Sequence, residues 1–508
     1  MTQPESNSRG LALLSSETAA DLSQDEISFV SETPVFPLNK PEMLSISKLL
    51  FKSAVPTSIT YVAEFVIGLI CLRFIGKFGT SDELAGASLA FTWANVFCLG
   101  VVNSIDQGFS ILAARLYGAG RMKDLGILFQ RNLVVMGIVG IPLLLSLLFA
   151  ESILLTLGLE PAVAASAGLT LRCVIPSLIG ASLFNTMRFF LIAQNVFNIQ
   201  GILVMILVPL HVFWCYLFIE VFQWSVVGAA VAKCFTDVGS AVVLYLYIVK
   251  TGAAKETWIP WHKACFENLY GHLKKTLLLG ANLYVEWISY EISVFIIGAL
   301  NNKFALGAHG IAINLTIAIF TIPLGNSISM QTFMGNAVGQ GSKYKAQKFM
   351  TAGLGINFIM TLVNIFAMFF YSHEIAFFFT SDPETTVILE TMIIIYSLTH
   401  IADTFANHIG GILRIVGKEK TVFTCYVFCY VGVAFNLQWI FGLALGYGYT
   451  AVWICTSVGM FLMVGLMIMK LVQLNWDVEL QNLKEKEENA ETSLDDEMSV
   501  YIEMKEVK

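Results

Sequence analysis

The sequence predicts an all-α polytopic membrane protein with about twelve transmembrane helices. The chain has 508 residues, of which 56% are hydrophobic and only 13% are charged. Soluble domains carry roughly 25% charged residues, so a water-soluble fold of this composition would expose large apolar patches. High hydrophobicity combined with a net charge of only −7 also excludes a chain that is disordered throughout.

Apolar segments recur along the chain, and each is long enough to supply the roughly 20 residues that a bilayer core requires of a helix. They are too long and too continuous for barrel strands, which favours helices. The first six are Leu49–Ile75, Leu84–Ile105, Leu125–Ala150, Ala162–Ile192, Ile199–Ile219 and Val226–Val249. The second six are Leu277–Leu300, Ala305–Met334, Phe349–Tyr371, Val387–Leu413, Val422–Leu445 and Tyr449–Met469.

The longest connection between segments, Thr251–Lys275, divides them six and six. Weak internal similarity supports two halves, since Leu116–Gly120 after segment 2 resembles Ala337–Gly341 after segment 8. Six helices per half give both halves the same orientation, which is a parallel repeat with substrate sites between the halves. The predicted domains are an acidic N-terminal tail (1–47), an N-terminal bundle (48–250), a cytosolic linker (251–275), a C-terminal bundle (276–474) and an acidic C-terminal tail (475–508).

Charge is distributed unevenly between the tails and the membrane body. The tails hold 18 of the 37 acidic residues but only six of the 30 basic ones, which is typical of solvated extensions. No basic face for a nucleic-acid partner is expected. Basic residues occur in the connections after even-numbered segments, whereas the connections after odd-numbered segments hold only Lys77 and Lys303. The positive-inside rule therefore predicts that both termini are cytosolic.

Carboxylates within hydrocarbon are costly and are therefore functional candidates. Glu286 and Glu291 lie near the middle of segment 7. Five residues turn a helix by about 500°, so the two acids point about 140° apart. One acid could face the central cavity and the other the interior of its own half. Asn282 and Tyr290 share the stripe of Glu286, and Trp287 shares that of Glu291.

Segment 10 carries a second polar group, in which His400, Asp403 and Asn407 share one helix face. An imidazole beside a carboxylate suits proton exchange. Metal binding is the rival interpretation, but one histidine and one aspartate are too few ligands for a zinc site. Glu64, in the middle of segment 1, is a candidate second cation site.

Other buried polar and aromatic residues have simpler interpretations. Lys233 and Asp237 are four residues apart on segment 6 and are expected to form an internal salt bridge. Arg188 and Arg414 lie near predicted cytosolic helix ends, where a long side chain can snorkel to the interface. Four aromatic side chains could stack on a flat organic cation: Trp93, Trp287, Tyr290 and Phe320.

Enzymatic machinery is not visible in the sequence. It contains no Walker A motif and no credible nucleophile triad, so neither a cofactor nor an enzymatic reaction is expected. The nine cysteines lie almost entirely within apolar segments and contain no CxxC motif, so we expect small apolar helix residues rather than a disulfide framework or metal site.

Five short stretches together resemble the eukaryotic branch of the multidrug and toxic compound extrusion (MATE) transporters, over about residues 48–476. The helix-7 and helix-8 stretches are the most specific combination. The stretches are Glu286-Trp287-x3-Glu291, Met334–Gly341, His400-x2-Asp403, Gly411–Gly417 and Gln473–Trp476.

The resemblance implies two six-helix bundles arranged as a V, a monomeric xenobiotic transporter, and antiport of organic cations against protons. It implies that Glu286, Glu291 and Asp403 carry proton coupling and cation recognition. Three positions depart from the family pattern: Asp403 stands where glutamate is expected, Ser110 where aspartate is common and Phe333 where arginine is common.

The sequence therefore predicts a secondary active transporter that exports organic cations by proton antiport through alternating access. Its partners would be a small organic cation, protons and the lipid bilayer, in the plasma membrane or an acidic vesicle or vacuole membrane. A sodium-coupled multidrug antiporter is the first alternative. A flippase for anionic substrates would need a cavity rich in arginine and lysine, and a channel or receptor would show no gradient-dependent flux.

The predicted topology is testable with an epitope tag at either end of the chain. We expect antibody to label both tags only after the plasma membrane is permeabilised, because the basic connections lie on the same side as both termini. A tag in a predicted external connection, such as that between segments 9 and 10, is the positive control. Labelling of either terminal tag in intact cells would contradict the prediction.

Overall fold

The computed structural model describes residues 29–35, 39–156, 158–380 and 382–486, and helices are its regular elements. Twelve long helices confirm the predicted fold class. Those of the N-terminal bundle are α1 Lys40–Phe78, α2 Ser81–Gly118, α3 Met122–Leu147, α4 Pro161–Ala193, α5 Asn198–Val221 and α6 Ser225–Thr251. Those of the C-terminal bundle are α7 Leu269–Gly298, α8 Lys303–Gly339, α9 Lys343–Phe370, α10 Pro383–Ile415, α11 Glu419–Ala444 and α12 Gly448–Val472.

Eleven of the described helices are long and apolar enough to cross a membrane, and α7 falls outside that set. Glu286 and Glu291 lower its apolarity, so the helix least suited to hydrocarbon is the one that carries two predicted site residues. Several helices extend beyond the predicted segments. The α1 helix has 39 residues and is about 58 Å long, whereas a bilayer core is about 30 Å thick. Counting apolar residues identifies only the part of a helix inside the hydrocarbon.

Helices α1–α6 pack on one another, as do α7–α12. Across the bundles, α1 packs on α8, and the second half of α2 packs on α7 and α8. The first half of α2 packs on α4 within its own bundle instead. The bundles therefore meet mainly where α2 and α8 end and where α1 and α7 begin, which is the end predicted to be cytosolic.

Two pairs of glycines allow this close approach. A Cβ on Gly108 of α2 would lie 2.1 Å from the carbonyl oxygen of Thr276 on α7, and one on Gly280 of α7 would lie 1.8 Å from that of Ser104 on α2. The α2–α8 contact repeats the arrangement. A Cβ on Gly118 would overlap the carbonyl oxygen of Asn336, and a Cβ on Gly339 would overlap that of Arg115. Gly118 and Gly339 also occupy matching positions in the two similar stretches, Leu116–Gly120 and Ala337–Gly341. Equivalent positions of the two halves therefore pack against each other at the interface.

Side chains close the same end of the molecule. The Arg115 guanidinium on α2 donates to the carbonyl oxygens of Arg414 and Ile415, at 2.8 and 2.6 Å, where α10 ends. Asn336 on α8 contacts the side chain of Asn195, just after α4 ends. Because the last carbonyls of a helix lack partners within it, Arg115 of the N-terminal bundle satisfies the end of α10 in the C-terminal bundle.

The described parts of the two acidic tails contact the rest of the protein, whereas the sequence predicted solvated extensions. The predicted boundary at residue 47 falls inside α1. The ammonium of Lys348 on α9 is 2.9 Å from Glu42 of α1, and Lys348 also donates to Ser31 and Thr33. A C-terminal helix, 476–486, packs Leu483 against the core. Tail acids therefore pair with basic residues on the predicted cytosolic face, while residues 1–28 and 487–508 lie outside the described structure.

Substituting Gly280 tests the close contact between the bundles. We expect Gly280→Val to lower the free energy of unfolding by about 1–3 kcal/mol, because the new side chain overlaps the backbone of α2. Thermal unfolding of the detergent-solubilised protein measures the loss. Gly298→Val, on the same helix with open space around its Cβ, is the matched control. Equal stability of the two variants would contradict the packing described.

Candidate ion-coupling and substrate site

Glu286 of α7 and Asp403 of α10 meet inside the C-terminal bundle. Glu286 exposes only 6% of its surface to solvent, and Asp403 exposes only 4%. Their carboxyl groups are near enough to interact directly. One carboxyl group can donate a hydrogen bond to the other only if it is protonated. Within the described residues, neither acid has a lysine or arginine partner, so the pair is not a salt bridge.

A chain of polar groups on α10 leads to this pair. The Tyr396 hydroxyl donates to Asp403 Oδ2 at 2.9 Å and lies 3.2 Å from His400 Nδ1. His400 Nε2 lies 3.1 Å from Asn364 Nδ2 on α9. If Asn364 donates to Nε2, the imidazole proton is on Nδ1 and points at Tyr396. The imidazole of His400 is therefore connected to Asp403 through the hydroxyl of Tyr396. Tyr396 is not among the site residues predicted from the sequence.

Asn282 and Asn407 belong to a neighbouring network. Arg414 is fully buried and donates to Asn282 Oδ1 at 3.0 Å, so the predicted snorkelling of this arginine is wrong. Ser327 donates to Asn407 Oδ1 at 2.7 Å, and the amide nitrogen of Asn407 is buried without a partner among the described residues. Gln331 connects the two asparagines, because it donates to Ser327 and accepts from Arg414. This network supports the walls of the site from α8.

Glu291 lies on a different face of α7. Gly280 and Tyr284 of this helix contact α2 of the other bundle, and Trp287 and Glu291 continue the same stripe by helical spacing. Glu291 is half-buried and has no hydrogen-bond or ion-pair partner within the described part of the chain. The structure thus directs Glu291 along the surface between the bundles, whereas Glu286 points into its own bundle.

A small cavity of about 20 Å³ lies beside Tyr290 and Tyr396, next to the carboxyl pair. This volume holds about one water molecule, so in this state the bundle interior has no room for a drug-sized molecule. Aromatic and hydroxyl side chains line it. Lining residues include Tyr290, Tyr396, Trp453, Thr456 and Met460.

The other predicted aromatic contacts are not brought to the carboxyl pair. Trp93 stacks on Phe97 with ring centroids 4.8 Å apart and packs against the core of the N-terminal bundle. Phe320 and Trp287 are half-buried on α8 and α7, and no ring contact joins either of them to another described aromatic residue. The aromatic residues that do lie near the two acids are tyrosines. Tyr396 bonds Asp403 directly, and Tyr290, Tyr426 and Tyr430 are close enough to interact with the pair. Of these, the sequence indicated only Tyr290, because tyrosines are frequent in this chain.

Glu64 is already paired with a cation from its own bundle. Arg188 of α4 donates to it at 2.6 Å and stacks over the Tyr61 ring at 4.5 Å. The Arg188 side chain is 2% exposed and that of Glu64 35%, so this arginine does not snorkel. Lys233 and Asp237 form the predicted salt bridge at 2.7 Å.

Asp106, fully buried on α2, is a further acid of the N-terminal bundle. It accepts from Asn132 and Thr186, each at 2.9 Å, and its second oxygen is unpaired among the described residues. Asn132 also contacts His272 of α7 at 3.0 Å, which links the acid to the other bundle. Its two hydrogen-bond partners come from two other helices, α3 and α4, so the sequence alone does not indicate this arrangement.

Two parallel six-helix bundles that bury unneutralised carboxyl groups define an integral membrane transporter. The sequence pattern described as MatE matches this chain at residues 56–217 and 279–440. Each match begins in the first helix of a bundle and ends in the fifth. The chain belongs to the MatE family of multidrug and toxin extrusion transporters.

Individual relatives and a solved structure agree with this assignment. Multidrug and toxin extrusion protein 1 of Danio rerio is 27% identical over 443 residues, which are 87% of this chain and 74% of that protein. Protein DETOXIFICATION 49 of Arabidopsis thaliana is 24% identical over 454 residues, covering 88% and 90% of the two chains. The crystal structure of the eukaryotic MATE transporter AtDTX14 matches with a TM-score of 0.83 at 20% identity, covering 87% of this chain and 99% of that one. The predicted resemblance is confirmed, and these relatives are transporters rather than enzymes.

The Glu64–Arg188 pair generates a stability prediction. We expect Arg188→Gln to lower the free energy of unfolding by about 1–3 kcal/mol, because a buried cation with its ring and carboxylate partners is lost. Arg172→Gln on the same helix is the control, since its ion pair with Glu151 is exposed and is worth about 0–1 kcal/mol. Thermal or denaturant unfolding compares them, and similar losses would refute a special role for Arg188.

Proposed function

We propose that this protein exports organic cations in exchange for protons by alternating access. The observation that carries the proposal is the buried Glu286–Asp403 pair, which has no basic partner among the described residues. We infer that the two groups share a proton, because two negative charges in contact would be unfavourable. A cation that arrives as the proton leaves would offset this repulsion, so the two would compete for one site.

The polar chain on α10 provides a route for the proton. Tyr396 accepts from His400 and donates to Asp403, so a proton can be relayed through hydroxyl and imidazole without crossing hydrocarbon. We propose Glu286 and Asp403 as the proton-coupling residues, with His400, Tyr396 and Asn364 as the relay. Asn282 and Asn407 position the surrounding helices through Arg414 and Ser327.

Glu291 is proposed to recognise the cation in the space between the bundles. It has no partner in the described structure, and Trp287 precedes it by one helical turn on the same stripe. A carboxylate beside an aromatic face attracts an organic cation by charge and by the ring quadrupole. Tyr290, shared by the cavity and the carboxyl cluster, connects this face to Glu286.

Alternating access follows from how the bundles meet. They touch through reciprocal glycines at one end, predicted to be cytosolic, so this state would release its cargo on the opposite side. Reversing the opening requires the Gly108–Gly280 and Gly118–Gly339 contacts to separate while each bundle keeps its own core. One proton exchanged for one monovalent cation moves no net charge, so a difference of one pH unit supplies about 1.4 kcal/mol, or tenfold accumulation.

Sodium coupling is the alternative that the same carboxylates would also support. Glu64 is a weaker candidate for a sodium ligand because Arg188 already occupies its carboxylate. An anionic substrate is less compatible with the site, since Glu286, Asp403 and Glu291 would repel it. We propose a monomer in the plasma membrane or in an acidic vesicle or vacuole membrane, with both termini in the cytosol.

Exchange in liposomes tests the proposal. Purified protein is reconstituted with a pH-sensitive dye inside, at zero membrane potential, and tetraethylammonium is added against an imposed pH gradient. We expect Glu286→Gln to abolish cation-dependent proton movement, because an amide cannot exchange a proton with Asp403. Glu291→Gln should retain proton release but need a higher cation concentration.

Glu390→Gln is the matched control, because this glutamate lies on α10, pairs with His373 and is remote from the cluster. It should exchange like wild type. Normal exchange by Glu286→Gln would exclude the proposed coupling site. Flux that follows a sodium gradient at fixed pH would replace proton coupling by sodium coupling.

A further inference from the structure

Three side chains with metal-binding atoms converge in the N-terminal bundle, far along the chain from the carboxyl pair. Cys71 comes from α1, and His211 and Cys215 from adjacent turns of α5. His211 Nε2 lies 3.3 Å from Cys71 Sγ and 3.4 Å from Cys215 Sγ. The three atoms lie within 4.8 Å of one another, and all three residues are fully buried. The sequence analysis did not detect this cluster, because Cys71 is 140 residues from His211.

The hydrogen bonds of His211 orient its lone pair towards the two sulfurs. Thr236 of α6 donates its hydroxyl proton to Ala232 O at 3.0 Å. Its oxygen is therefore left to accept from His211 Nδ1, which lies 2.7 Å away. This arrangement puts the imidazole proton on Nδ1 and leaves Nε2 free to bind. Metal-binding histidines are held in the same way by a second hydrogen bond on their other nitrogen.

The surroundings of the cluster are mainly apolar. Ile75, Ala87, Phe218 and Ala229 belong to the buried core that contains the two cysteines. Outside the cluster, Cys71 contacts the carbonyl oxygen of Ala229 at 3.8 Å, which is a weak contact for a thiol. Lys233, one turn before Asp237, is near enough to act electrostatically on Cys71. One imidazole lone pair thus faces two thiols that have little else to bond.

We propose that Cys71, His211 and Cys215 bind one Cu⁺ ion. Thiolate ligands select soft cations, and a three-ligand Cys₂His set satisfies Cu⁺. A structural Zn²⁺ site is almost always four-coordinate, and no fourth protein ligand joins the three within the described structure. Binding releases one proton from each thiol, so the site becomes two thiolates, one neutral imidazole and Cu⁺, with a net charge of −1 beside Lys233.

The ion would act as a cross-link in the N-terminal bundle. It would join α1 to α5, while the Thr236 hydrogen bond extends the connection to α6. Cys71 is one to two turns from the end of α1 that is opposite the glycine contacts, where the bundles are not held by each other. Because the three ligands are brought together only in the folded state, Cu⁺ should bind that state more tightly than the unfolded chain and raise the thermal stability of the protein.

Copper binding by the full-length protein tests this proposal. The protein is purified in detergent without oxygen, incubated with Cu⁺ buffered by a copper-specific chelator, desalted and analysed by mass spectrometry of the metal content. We expect one Cu⁺ per chain, a higher unfolding temperature, and an X-ray absorption spectrum with two sulfur neighbours and one nitrogen neighbour. Cys71→Ser should lose the bound ion, and Thr236→Val should bind Cu⁺ about 10–100-fold more weakly.

Cys98→Ser is the control, since Cys98 is another buried cysteine of the same bundle outside the cluster. It should bind like wild type. Thr236→Val retains all three ligands, so it tests the site even if Cys71→Ser fails to fold. Equal copper content in wild type and Cys71→Ser, preferential loading with Zn²⁺, or a Cys71–Cys215 disulfide in the protein isolated without reductant would each overturn the proposal. None of these readouts depends on transport.

Discussion

The cost of placing charge in an apolar interior governs how this molecule is built. Glu64 is neutralised by Arg188, Asp237 by Lys233 and Glu42 by Lys348. The first pair joins two helices of the N-terminal bundle, the second lies within α6, and the third connects α1 to α9 of the other bundle. The Glu286–Asp403 pair is different because both members are acids. Only a shared proton, or a cation that replaces it, makes that arrangement tolerable, which is why this pair and not the others is a coupling candidate.

The second constraint is that the two bundles must hold together and yet separate. At two helix pairs the contact is made by glycines against backbone carbonyls, with Gly108 opposite Gly280 on one and Gly118 opposite Gly339 on the other. Larger side chains also meet across the bundles, as in the ring contact between Phe197 and Phe333 at 5.5 Å. Separating the bundles would therefore break this apolar contact as well as the glycine contacts. Arg115 then adds directional hydrogen bonds to the end of α10, which close the interface in this state.

The acidic tails take part in the same closed end. Lys348 binds Glu42 together with Ser31 and Thr33, and the C-terminal helix pairs its acids with lysines of the C-terminal bundle. The surplus of acids in the tails and of bases in the membrane body is thus partly complementary in space. The tails therefore contribute to the face at which the bundles meet, in addition to keeping that face soluble.

The sequence by itself determined the membrane class, the number of helices and the two halves, because these follow from hydrophobic length and repetition along the chain. It also selected Glu286, Glu291 and Asp403 as candidates, since an acidic residue within an apolar segment stands out in the sequence alone. Only the tertiary structure decided which groups face each other. The position of Arg188 near a helix end predicts an interfacial residue, but in the fold it pairs with Glu64 of α1. The cysteine–histidine cluster has no sequence signature, because Cys71 is 140 residues from His211. Helical periodicity gives the direction of a side chain, but the partner in that direction is chosen by packing.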